Sequence, residues 1–129
     1  MTITADAARI FADARAMHSA SLERLDAGDI RDASEKAWCA TKRATDALLL
    51  SLTGNEPERS TETGSGLRQL ARTNDAARSL RARYYERQGT LHGECFYVGL
   101  CEPLADTEAL IRDTLRYIED AGRLPDIRA

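Results

Sequence analysis

At 129 residues and 43% hydrophobic content the chain has material for one core and is too apolar to be disordered. Much of that content is alanine, with two Phe and one Trp, which weighs against a β-sandwich. The net charge of −3 excludes a general polyanion binder, and no apolar run is long enough to span a bilayer.

In chain order the first element is a helix over residues 4–27. Ile3, Ala7, Phe11, Ala14, His18, Leu22 and Leu25 recur at the three-and-four spacing of one apolar face. His18 sits on that stripe and reads as a hydrogen-bonded interhelical histidine rather than a ligand. Gly28 ends the helix and Asp29 caps the next, over 30–52. There the stripe is Ile30, Ala33, Ala37, Ala40, Ala44, Ala47 and Leu48, short side chains that let a neighbouring backbone come close. Trp38 covers a flank, and Glu35 and Lys36 read as surface charge.

Residues 53–66, rich in Gly, Ser, Thr and Glu, read as a flexible loop. A short helix is expected over 67–73, with Leu67, Leu70 and Ala71 inward. Asn74 then caps a longer helix carrying Ala77, Leu80, Tyr84, Leu91 and Cys95 on one side, with a kink or break expected at Gly89. Pro103 opens a last helix over 103–121 with a stripe of Leu104, Ile111, Leu115 and Ile118. Gly122 ends it, leaving 122–129 as a loose tail. The whole predicts one all-α domain, an up-and-down four-helix bundle with one extra short helix.

Between Gly66 and Gly93 lie Arg68, Arg72, Arg78, Arg81, Arg83 and Arg87 against Asp75 and Glu86, a local charge of +4 beside −7 elsewhere. Such a strip is either a solvated helix face or a surface for phosphate. Cys39, Cys95 and Cys101 show no paired spacing, which together with the lack of a signal peptide predicts reduced thiols in the cytoplasm. Two distant histidines and scattered thiols do not make a metal site, and no cofactor is expected.

Two segments carry a resemblance. Ala33-Ser-Glu-Lys-Ala-Trp-Cys-Ala40 and Leu91-His-Gly-Glu-Cys-Phe-Tyr97 resemble the two signatures of archaeal PaREP-type proteins. Those proteins resemble the HEPN superfamily (higher eukaryotes and prokaryotes nucleotide-binding), helical bundles of about this length. Active HEPN members carry Arg, a polar residue (usually Asn), a few spacers and His; here this reads Arg87, Gln88, Gly89-Thr90-Leu91, His92. The resemblance implies a metal-independent ribonuclease whose two motifs face each other across a homodimer cleft, as in toxin-like systems with a cognate protein partner.

Helix geometry bears on that site. At ~100° per residue, Arg87 and His92 on a continuous α-helix stand roughly 140° apart and converge only through a break or a second copy. In the ribonuclease reading His92 takes the 2′-hydroxyl proton, Arg87 steadies the phosphorane, and Tyr85 or Tyr97 stacks a base. In the leading reading the same strip, with Arg83 and Gln88, belongs to a non-catalytic dimeric module that binds nucleotide, nucleic acid or protein.

Overall fold

The computed structural model describes residues 4–128, with side chains through residue 125. Ile3, counted in the first stripe, and Ala129 of the expected tail lie outside the described residues. Among the described residues every regular element is helical and no strand occurs: α1 (Ala5–Asp26), α2 (Ile30–Thr53), α3 (Ser60–Ala71), α4 (Asp75–Arg87), a π-helical segment (Gln88–Val98), α5 (Leu104–Arg112) and α6 (Thr114–Arg128).

The caps follow from local chemistry. The hydroxyl of Thr4, the carboxylate of Asp29 and the amide oxygen of Asn74 accept from the amides of Ala7, Asp32 and Ala77, meeting donors that a helix start leaves unpaired. The element at the centre is α2, which touches every other element. Its Ala33, Ala37, Ala40, Ala44 and Ala47 are fully buried, so α1 lies close along it and the larger Phe11, Leu48, Leu67, Tyr84, Tyr117 and Ile118 fill the remaining space.

Three expectations change. Residues 60–66, read as part of a loop, form the first half of α3. The Glu62 carboxylate accepts from the amides of Glu58 and Arg59, and the buried Thr63 hydroxyl donates to Asp46 at 2.6 Å, fixing the first turn. Gly64 and Gly66 serve close approach here rather than a turn. A Cβ on them would lie 2.9 Å from the Tyr85 hydroxyl and 2.9 Å from Leu49 Cδ1 respectively.

The chain does not break at Gly89; it widens into the π-helical turn and continues to Val98. Gly89 and Gly93, both weak α-helix formers, lower the cost of leaving the α register. Gly99, at φ 86°, closes the segment, and the Arg31 guanidinium donates to the carbonyls of Phe96 and Tyr97 at its end.

The expected last helix is divided at Asp113, and the part expected as a loose tail is helical through Arg128. The division shifts the phase of the stripe. Ile111 and Ile118 are buried as expected, but Leu104 and Leu115 are exposed, and Thr107, Thr114 and Tyr117 take inward places. Gly122 lies against the Phe11 ring, and the burial of Leu124 holds the last turns down. No helix among the described residues is long and apolar enough to cross a membrane.

Candidate functional site

The two sequence signatures meet. Glu35 and Trp38, one turn apart on α2, face His92 on the π segment. The imidazole Nδ1 lies 2.7 Å from Glu35 Oε1, and the Trp38 ring centroid is 6.1 Å from the imidazole. Phe96, one turn further on, stacks with the imidazole at 6.2 Å, and Tyr97 lies at 6.5 Å. The carboxylate oxygen accepts from Nδ1–H, and in the neutral tautomer with that proton the lone pair lies on Nε2. The imidazole is 40% exposed while Glu35 is 23% exposed, so the ring is held from behind and open in front. The arrangement can accept a proton at Nε2 or hydrogen-bond a ligand there.

Glu35 was missed at the level of sequence because a glutamate beside a lysine reads as solvated charge. The signal that could have found it was its place in the Glu-Lys-x-Trp signature. Tyr97, beside His92, begins a run of exposed apolar groups: Tyr97, Val98, Leu100 and Leu104 are 75%, 63%, 62% and 54% exposed, a concentration of large hydrophobic surface between residues 97 and 104.

Arg87 is not part of this opening. It is 1% exposed and reaches the α5–α6 junction, where its guanidinium donates to Asp113 and Thr114 at 2.8 Å each and to the Leu110 carbonyl at 3.2 Å. It also lies 5.5 Å from the Tyr117 ring centroid. Burial lowers its pKa, against the opposing pull of Asp113. Within one chain Arg87 and His92 therefore turn to different neighbours, α5–α6 and α2.

The other expected ligand-binding side chains also divide. Arg83 pairs with Asp120 at 2.8 Å and lies over Tyr117. Tyr85 and Gln88 line one cavity between α3 and α4, away from Tyr97, which stands by His92. Of the basic strip, Arg78, Arg83 and Arg87 have carboxylate partners, while Arg68, Arg72 and Arg81 have none among the described residues.

His18 and the paired cysteines serve the fold. His18 is buried and its Nε2–H donates to the Ile111 carbonyl at 3.2 Å, and burial lowers its pKa. Cys95 and Cys101, expected as reduced thiols, are joined by a disulfide, because the turn after Gly99 brings Cys101 back to the end of the π segment. Cys39 is free, its pKa raised by burial. Among the described residues no three His, Cys, Asp or Glu side chains gather as metal ligands.

Compared with known proteins, residues 9–98 match the model of the archaeal PaREP1/PaREP8 family. Curated proteins and solved structures give no match. The matched span contains both signatures and the Glu35–His92 pair.

Proposed function

The chain belongs to the archaeal PaREP1/PaREP8 family, and on that footing we propose a HEPN-like, non-catalytic helical module, acting as a cytoplasmic homodimer that binds a nucleotide or RNA. In this reading the helices form an up-and-down bundle with α3 as the added short member. The observation that carries it is the division of the arginines. Arg87, the cation a catalytic motif needs, is committed to Asp113 and Thr114 inside its own fold. Arg68, Arg72 and Arg81 have no carboxylate partner among the described residues, and such arginines favour phosphate. The apolar surface of Tyr97, Val98, Leu100 and Leu104 supplies the dimer face.

The test is fluorescence anisotropy with labelled RNA and with a labelled nucleotide at low and high salt. Binding that weakens with salt, persists in His92→Ala and falls in a variant with Arg68 and Arg81 changed to Gln is expected. No binding at low salt would remove this reading and leave a cognate protein as the ligand.

A second reading, a metal-independent ribonuclease, is favoured by one observation: the Glu35 carboxylate holds His92 at Nδ1 while the imidazole stays partly open to solvent. It needs a cation, either Arg87 withdrawn from Asp113 or one from the facing subunit. It predicts RNA cleavage in EDTA that leaves 2′,3′-cyclic phosphate ends and is lost in His92→Ala. An inert dimer would dispose of it.

A further inference from the structure

Between α3 and α4 lies a cavity of about 350 Å³, lined by Ser60, Thr61, Ser65, Arg68, Tyr85 and Gln88. Its size stands at the lower end of small-molecule sites, roughly 300–1,000 Å³. No carboxylate is among the lining residues, and five hydroxyl-bearing residues (Tyr84 included), a carboxamide and a guanidinium are. Ser60 and Thr61 open α3, where backbone amides have no intrahelical acceptor and the helix end favours negative charge.

The helix start alone would not define a site. The second observation is Tyr84, which also lines the cavity and is 1% exposed, with a hydroxyl that has no hydrogen-bond partner. An unpartnered buried hydroxyl costs on the order of 1–3 kcal/mol, a cost that a ligand oxygen would remove. Burial drives its pKa upward, so it stays a donor across the working pH range.

The cationic character has a second source. The Arg81 guanidinium lies 5.2 Å from the Tyr85 ring centroid, and its Nε is buried without a partner. Tyr85 is thus a wall of the cavity backed by positive charge. Gly64 allows that wall to close on α3, since a Cβ there would stand 2.9 Å from the Tyr85 hydroxyl. The acidic neighbours are engaged elsewhere: Glu62 accepts from the amides of Glu58 and Arg59, and Asp46 is met by Lys42 and Thr63.

We propose that this cavity binds a phosphate monoester, with Arg68 and the hydroxyls of Ser60, Thr61, Ser65 and Tyr84 donating to the phosphate oxygens. A monoester suits it better than a diester, because its three terminal oxygens and higher charge can engage several of the lining donors at once. The ester is carried either by a free mononucleotide or by the 5′ end of an RNA. The proposal rests on the binding reading above and gives it an address.

The experiment titrates the full chain with inorganic phosphate and with AMP by calorimetry, and with 5′-phosphorylated and 5′-hydroxyl RNA of one sequence by anisotropy. Arg68→Gln and Tyr84→Phe are compared with Arg9→Gln, which removes the same charge from an exposed position on α1 that does not line the cavity. Circular dichroism checks that each variant is folded. Arg68→Gln, an exposed position, and the near-isosteric Tyr84→Phe are each expected to weaken phosphate and AMP by about tenfold. Arg9→Gln should leave both unchanged.

AMP binding identifies a free nucleotide as the carrier. Preference for 5′-phosphorylated RNA, lost in Arg68→Gln, identifies an RNA end. Salt-sensitive RNA binding that ignores the 5′ phosphate and both cavity variants, with no affinity for phosphate or AMP, overturns the cavity and spares the wider reading. No binding of any probe overturns both.

Discussion

Arg87 shows how one side chain can be read two ways. In the sequence it stands five residues before His92 as half of a motif; in the fold it is a buried bracket that gathers Leu110, Asp113 and Thr114 where α5 gives way to α6. Replacing it by alanine strands these groups and opens a cavity, so Arg87→Ala should lose about 2–4 kcal/mol of stability by urea unfolding. A purely catalytic arginine would show almost no change. His18 makes a second prediction. Burial lowers its folded pKa, so below the unfolded value near 6.5 the unfolded chain binds the proton more readily and the fold loses stability. Melting temperatures taken from pH 7.5 down to 5.5 should fall more steeply for the wild type than for His18→Gln, whose amide can still donate to Ile111. Parallel slopes would show that His18 does not report burial.

Glycines act at the scale of the element, and their two roles predict opposite signs. Gly89 has open space around its Cβ position and an ordinary backbone, so Gly89→Ala should gain roughly 0.5–1 kcal/mol. At Gly66 the added methyl meets Leu49, itself buried, and Gly66→Ala should lose about 1 kcal/mol despite its better helix propensity. Denaturant midpoints of the two variants, moved apart in these directions, check both. The same contrast explains what was legible beforehand. Helices α1 and α2, their caps and the alanine face could be read because period and capping chemistry are local. The start of α3 could not, since its glycines answer to Tyr85 and Leu49 in other helices. Nor could the division at Asp113, which depends on Arg87 arriving from α4. Of the candidate site, His92 and Tyr97 could be seen in the chain. Glu35 needed the third dimension, because only packing of α2 on the π segment separates it from the surface charges beside it.

At the scale of the molecule, two surfaces stand out. Within the basic strip the arginines without carboxylate partners are Arg68 on α3, Arg72 just after it and Arg81 on α4, while the most exposed large hydrophobic groups lie between residues 97 and 104, beginning with Tyr97 beside His92. If the latter is the dimer face, Leu100→Glu should give a folded monomer by sedimentation, with helical circular dichroism intact. A dimer that survives this change would place the contact elsewhere. The packing of α2 has one more consequence. Because Ala33, Ala37, Ala40, Ala44 and Ala47 are fully buried along it, the approach of a neighbouring helix at those positions is set by backbone rather than by interchangeable side-chain bulk. Such a centre cannot trade a larger residue on one helix for a smaller one across from it, as leucine-rich cores do. It acts as a gauge: sequence drift can remake the rim, the basic strip and the apolar face, while the spacing that brings Glu35 to His92 stays constant.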